Sequence, residues 1–191
     1  MTGQSHHIYW QSLEEPGFEH LHIVCGDSGI EATGFILRKL GDLHLRNRYE
    51  MVLSADWQFR SLSLGSSESG GEAKPRRLQL SRDDAGNWSR EGQTLPELAG
   101  CCDVDIQITP FTNSLPIGRL KLAPGESAEV DMVYLPFPAL MPQRHRQRYR
   151  CLAADRYLFE APDSGFSAEL PLDRHGLVLD YPTLFQRSWP R

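Results

Sequence analysis

No run in the sequence approaches the ~20 apolar residues of a membrane-spanning helix, so no stable membrane insertion is expected. The first ten residues, MTGQSHHIYW, lack both the basic start and the apolar stretch of a secretory signal, and a cytoplasmic address is expected. Cysteine is scarce. The four stand at positions 25, 101, 102 and 151, without the two-residue-gap pairing that reads as zinc or redox chemistry. They are expected as free, buried thiols, because neighbouring strand side chains such as Cys101 and Cys102 point to opposite faces. Motifs of catalysis are missing as well. There is no Gly-x-Ser-x-Gly, no Walker-type Gly-Lys-Ser/Thr and no Gly-x-Gly-x-x-Gly, so no cofactor is expected and an enzyme is the minority reading. Charge of one sign is not in excess: the net charge of -5 argues against nucleic acid as partner.

Sustained helical periodicity is the last absence. In its place stand short β-like runs at 20–25, 33–37, 49–53, 59–64, 77–80, 103–108, 129–135, 148–152, 156–161, 166–172 and 177–181, several of which alternate polar and apolar side chains. Turn signals separate them, including Asp83-Asp84-Ala85-Gly86 and Asp173-Arg174-His175-Gly176. Short helices are expected at Leu95–Ala99, Thr112–Arg119 and Pro182–Arg187, and the polar stretch from Gly65 to Pro75 reads as a mobile hairpin tip.

An ordered internal echo adds to this pattern. Arg46-Asn47-Arg48-Tyr49 is answered by Arg146-Gln147-Arg148-Tyr149, Ser54-Ala55-Asp56 by Ala153-Ala154-Asp155, and Phe59 by Phe159. The turn at Asp83 is answered by that at Asp173, and Leu95-Pro96-Glu97-Leu98 by Tyr181-Pro182-Thr183-Leu184. The fold expected is mainly β: two duplicated antiparallel units, half-barrels or curved sheets, over about 18–109 and 120–187, packed into one barrel-like or sandwich-like body. CCDVDIQITPFTNSLPIGRL (101–120) then reads as the last strand of the first unit and the turn into the second.

Several clusters could carry chemistry. Asp103 and Asp105 share a strand face, which suits solvent or a polar cavity, a ligand contact, or the carboxyl pair of a glycosidase. Thr109-Pro110-Phe111-Thr112-Asn113 ends that strand, with Thr112 or Asn113 able to cap the short helix or, with Arg119, to bind a sugar or phosphate. His20 and His22 could meet a metal only with help from Asp103 or His44, and no metal is expected. Arg144, Arg146, Arg148 and Arg150 line one strand face, which reads first as a solvated face paired with acids and second as an anion site.

The DVDIQITPFTNSLPIGRL segment, together with Trp10, the cluster Gly17-Phe18-Glu19-His20 and GLVLDYPTLFQR (176–187), resembles a bacterial family of putative glycolipid-binding proteins, earlier a domain of unknown function. The resemblance spans essentially the whole chain. It implies a spatially duplicated, mainly β fold with some likeness to carriers of lipoproteins between bacterial membranes. It also implies two arginines after Pro116-Ile117, where this sequence has Gly118 and Arg119.

The leading expectation is a non-enzymatic binding or carrier protein for a glycolipid, lipid precursor or other amphipathic small molecule. Its candidate ligand-binding residues are Trp10, Glu19, Asp103, Asp105, Thr109, Thr112, Asn113, Arg119, Asp180 and Tyr181. The alternatives are a glycoconjugate hydrolase using Asp103, Asp105 or Glu19, and an interaction protein using the arginine row.

Overall fold

A computed structural model describes residues 3–69 and 75–190. Two sheets account for most of it. The larger is antiparallel, with ten strands in the order β14-β15-β1-β2-β3-β4-β5-β6-β7-β8. Its strands are β1 (Gln4–Ser12), β2 (Gly17–Gly26), β3 (Gly29–Leu40), β4 (Leu43–Leu53), β5 (Phe59–Glu68), β6 (Arg76–Arg82), β7 (Trp88–Arg90), β8 (Gln93–Thr94), β14 (Asp180–Tyr181) and β15 (Phe185–Trp189). The smaller runs β13-β12-β11-β10-β9, from β9 (Asp103–Ile106), β10 (Ser127–Leu135), β11 (Gln143–Ala153), β12 (Arg156–Ala161) and β13 (Phe166–Pro171). Its β9–β10 pair is parallel.

Alternation sets the faces. In β4, Leu45, Asn47, Tyr49, Met51 and Leu53 are buried while the residues between them are exposed. In β3 the buried set includes Ile30, Ala32, Ile36 and Arg38. Asp side chains close the predicted turns: Asp83 Oδ1 accepts from Asn87 N–H (2.8 Å), and Asp173 Oδ1 from His175 and Leu177 N–H (2.8 and 3.0 Å). The buried apolar residues form two clusters, one against the large sheet and one inside the small sheet.

The mainly β expectation holds, with corrections in particular places. Helix formation at Pro96–Leu98 is a single 3₁₀ turn, and the expected helix at Thr112–Arg119 is a 3₁₀ turn, Phe111–Asn113, running into α1 (Ser114–Leu120). Pro182–Arg187 is no helix. Leu184 N–H closes a turn on Tyr181 O, Thr183 takes a positive φ of 67°, and β15 then pairs with β1, placing Phe185 and Arg187 inward.

The run at 177–181 shortens to β14, and 103–108 to β9, because Thr109 N–H turns back onto Ile106 O. Strand β9 also belongs with β10 and not with the first sheet, while β14 and β15 return to the first sheet, so the two sheets exchange segments at their ends. Tyr149 faces Phe159 where Tyr49 faces Leu64, so Phe59 and Phe159 are not in matching register. At the polar tip, β5 continues through Gly65 to Glu68, and residues 70–74 lie outside the described residues.

Candidate functional site

The turn Thr109–Asn113 and α1 run between the two apolar clusters. Phe111 and Leu115 join the first cluster and Ile117 the second. Polar side chains along this seam are buried and turn to both sides. Thr112 Oγ1 donates to Asp105 Oδ1 (3.2 Å) and accepts from Ile106 N–H (3.2 Å). Asn113 Oδ1 lies 3.1 Å from the Tyr149 hydroxyl, which also stands 2.9 Å from Gln147 Oε1. Ser114 Oγ accepts from Val178 N–H (3.3 Å). The helix start has no side-chain cap, correcting the capping role expected of Thr112 or Asn113: their polar groups are drawn to Asp105 and Tyr149 instead.

Asp103 and Asp105 share a face, as strand spacing requires, but it is not a solvated one. Val104 and Ile106 pack into the first cluster, and Asp103 on the other side is fully buried. Arg119, carried by α1, covers it and donates from Nε (3.0 Å) and Nη2 (2.7 Å) to the same Oδ2. Asp105 accepts from Gln147 Nε2 at 2.5 Å. Burial pushes both carboxyl groups above the usual carboxylate range, with Arg119 opposing this at Asp103 and Gln147 and Thr112 at Asp105. Burial disfavours the Arg119 charge, but Asp103 more than offsets it and the guanidinium ends above its usual value. Both aspartates are therefore committed to internal partners. Of their four carboxyl oxygens, Asp103 Oδ1 has no hydrogen bond among the described residues.

A second polar group sits on the inner face of the large sheet. Strand register sets Trp10, Glu19, Ile36, Asn47 and Ser66 side by side in one row. In the next row Gly17 lies opposite Arg38, with Ser12 beside Gly17. Glu19 is 2 % exposed, and its Oε1 accepts from the Tyr49 hydroxyl at 2.7 Å.

That bond depends on Gly34, which lies opposite Tyr49: a Cβ there would stand 2.0 Å from the ring, so only glycine lets Tyr49 cross β3 to reach β2. Burial raises the Glu19 pKa to about 7, opposed by the Thr109 and Tyr49 hydroxyls. The Thr109 hydroxyl favours the charged form of Glu19, while Oε2 is left without a hydrogen-bond partner among the described residues. Glu19 Oε2, Asn47 Oδ1, Ser12 Oγ and Arg38 Nε and Nη1 are all buried and have no hydrogen-bond partner among the described residues. Arg38 lies over the Phe185 ring (5.2 Å) and reaches Glu14 at 3.5 Å.

The remaining candidates bracket these groups. Trp10 is fully buried and donates from Nε1 to Val178 O (3.0 Å), with the Arg187 guanidinium over its ring at 5.2 Å. Tyr181 packs edge-on or tilted against Phe159, Phe166 and Phe185; burial, then the nearby Asp105 and Tyr134, raise its pKa. Asp180 is half-buried on β14, opposite Gln186. Where the resemblance implies a second arginine, Gly118 meets the Trp57 ring: a Cβ there would stand 2.5 Å from it. Trp57 occupies the space an arginine side chain would need.

His20 and His22 meet His7, not Asp103 or His44: His7 Nδ1 lies 3.0 Å from His20 Nε2, and the His7 and His22 rings stack at 4.4 Å. Among the described residues, no cluster of three or more His, Cys, Asp or Glu side chains could hold a metal ion. Three of the four arginines of the row are paired on an outer face. Arg144 and Arg146 reach Asp131, and Arg148 reaches Glu129 and Glu160. All four cysteines are free, with Cys101 and Cys151 buried and Cys25 and Cys102 half-buried.

Arg38, Asn47, Ser12 and Tyr49 were not among the residues picked from sequence. A signal existed. Arg38 falls in phase with Ile36, and Asn47 in phase with Leu45 and Met51, so each is a polar residue on the apolar phase of a strand.

The comparisons with known proteins agree with this architecture. The sequence profile described as Putative glycolipid-binding matches residues 7–187. The chain is similar to a DUF1089 family protein, PA1994, from Pseudomonas aeruginosa, whose crystal structure matches with a TM-score of 0.79. Identity is 38 %, over 90 % of this chain and 91 % of that one. No curated protein matches the chain. The chain belongs to the Putative glycolipid-binding family.

Proposed function

We propose that the protein binds an amphipathic ligand, a glycolipid or lipid precursor, and carries it without a catalytic step. One observation carries this reading: the unpartnered polar atoms of Ser12, Glu19, Arg38 and Asn47 in adjoining rows of a buried sheet face. Buried polar groups are almost always hydrogen-bonded, and each one left alone costs about 1–3 kcal/mol. The set is also mixed in character. Arg38 only donates, Asn47 Oδ1 accepts, Glu19 Oε2 accepts when ionised and donates when protonated, and Ser12 does both. A head group rich in hydroxyls, able to give and take hydrogen bonds at short spacing, is the chemical complement, and the apolar clusters beside it suit acyl chains. Seven of the ten candidates then divide into two roles. Glu19 and Thr109 stand at the head-group end, while Asp103, Asp105, Thr112, Asn113 and Arg119 hold the seam that positions it.

Native mass spectrometry of gently purified full-length protein, followed by organic extraction, tests the reading. Copurifying lipid is expected, and Asn47→Leu, which removes one acceptor of the row, should weaken retention. No lipid, and no binding across a panel of glycolipids and sugar-free lipids, would overturn it.

We also propose internal duplication over about 18–109 and 120–187 as the origin of the two sheets. The support is that Tyr49 on β4 and Tyr149 on β11 follow the same Arg-x-Arg-Tyr pattern and both turn their hydroxyls onto inner polar side chains. A significant superposition of β3–β6 on β10–β13 in an experimental structure is expected; unrelated backbone paths would refute it.

A further inference from the structure

The outer face of the large sheet carries a feature that inner-face ligand binding does not use. Register places Phe18 opposite Leu37 and His20 opposite Phe35, and Tyr9 lies between His20 and Trp189. Phe18, Phe35, Leu37 and Trp189 are 44 %, 50 %, 59 % and 57 % exposed. Scattered exposed apolar residues are ordinary, but these stand in adjoining rows on neighbouring strands. The same rows continue into arginines. Arg46 is opposite Leu37, Arg48 opposite Phe35, and Arg77 follows across Gly65. From β15 to β6 the face crosses six strand spacings of about 4.8 Å, roughly 30 Å in all.

Two shallow grooves mark this face. One of about 560 Å³ is lined by Phe35 and Leu37 with Arg46, Arg48, Arg76 and Arg77, and one of about 600 Å³ by Phe18 and Leu37 with Lys39 and Arg46. Among the described residues neither is lined by an acid, in a chain whose net charge is -5, whereas further along the face a groove of about 430 Å³ sets Arg48 and Arg77 with Glu50 and Glu91. Arg48 shares its charge with Glu50, Arg76 with Glu68 and Lys39 with Glu15. Among the described residues Arg46 and Arg77 make no ion pair, so they are the cations of the patch without a direct acidic partner.

We propose that this face docks the protein onto a bilayer surface bearing anionic lipid head groups. Phe18, Phe35, Leu37 and Trp189 enter the head-group region, and Arg46 and Arg77 sit on phosphates. Exposed aromatic and aliphatic side chains beside cations are the composition that the membrane interface selects. A second copy fits less well, because a two-fold pairing of this face would oppose its arginines with arginines and offer no acid from either groove. A nucleic acid would leave the aliphatic side chains without a partner. Docking here leaves the inner face and its ligand untouched, so the two proposals stand or fall separately.

Vesicle flotation of the full-length protein tests this, using phosphatidylcholine vesicles with and without phosphatidylglycerol at low and high salt. Trp189 fluorescence gives a second readout. Recovery with the anionic vesicles alone is expected, weakened by salt, with a blue shift in emission. Arg46→Gln with Arg77→Gln should lower partitioning roughly thirty-fold, at about 1 kcal/mol per cation near the surface. Arg144→Gln with Arg146→Gln removes the same charge from the outer face of the other sheet and should change nothing.

The proposal is overturned if the wild-type protein ignores anionic vesicles or if both double variants lose binding equally. It is also overturned if light scattering shows a dimer that Leu37→Asp dissolves while no vesicle is bound. Lipid retention measured on Arg46→Gln/Arg77→Gln keeps a failed docking result distinct from a failed ligand reading.

Discussion

Replacing Glu19 by glutamine should make stability less sensitive to pH, and the size of the effect follows from its burial. The carboxyl group is buried, bonded to Tyr49, and its pKa rises from 4.5 to about 7, chiefly by desolvation. Between these values the folded chain keeps a proton that the unfolded chain has released, so raising the pH favours unfolding. The contribution is whole below pH 4.5 and lost once the pH passes about 7. At about 1.4 kcal/mol per pH unit, the full displacement corresponds to about 3 kcal/mol. Glutamine keeps an oxygen for the Tyr49 hydroxyl and has nothing to titrate. Asp103 and Asp105, displaced upward as well, are common to both chains and cancel in the comparison. Urea denaturation followed by tryptophan fluorescence at pH 4.5, 6, 7 and 8 should therefore give similar stabilities at the lowest pH. By pH 8 Glu19→Gln should be ahead by up to about 3 kcal/mol, or roughly 6–12 °C in Tm for a chain of this size. A difference that stays flat with pH, or that shrinks as the pH rises, would refute the reasoning.

Gly34→Ala drives a Cβ into the Tyr49 ring and should cost about 2–3 kcal/mol in denaturant titrations; a neutral result would show that the ring can leave β3 freely. Arg119→Met strands the fully buried Asp103 carboxylate and should cost about 3–5 kcal/mol, most of it recovered by adding Asp103→Leu; an equal loss in the double variant would assign the cost to packing. Gly118→Arg must displace Trp57 and should cost about 1–3 kcal/mol with a shift in tryptophan emission, whereas an unchanged spectrum would mean that Trp57 does not cover Gly118.

Much of the fold can be read from local sequence, because alternation and turn chemistry act over a few residues. RYLFEA was expected as a strand and is β12, Arg156–Ala161. The missed parts depend on distant pairing. Strand β15 exists because Phe185, Gln186 and Arg187 meet β1 at the other end of the chain, and a proline followed by a short mixed segment gives no local sign of that. The site divides in the same way. Glu19 and Arg38 stand on the core phase of their strands and so betray burial, but nothing within DVDI reveals that Arg119 and α1 will cover Asp103. Exposure of an aspartate on a strand is set by what later packs over it, not by its neighbours in sequence.

Strand β3 holds the tension on which both functional proposals rest. Its outer positions include Phe35 and Leu37, and its inner ones Gly34, Ile36 and Arg38, so over this half two apolar side chains face out while a cation faces in beside Ile36. A one-residue slip would bury Phe35 and Leu37 and free Arg38, but it would also expose Ile30 and Ile36, bury Glu31 and break the passage of Tyr49 over Gly34 to Glu19. The register is thus a compromise, with Phe35, Leu37 and Arg38 placed against their own preference, as happens where a sheet serves a function besides folding. Arg38→Leu tests this directly. It removes two buried donors without partners and gives up only the Phe185 contact and a 3.5 Å pair to Glu14, which is largely exposed. Stability should therefore rise by about 1–2 kcal/mol while lipid retention falls. A variant that loses stability and keeps its ligand would mean that Arg38 serves the fold and not the head group.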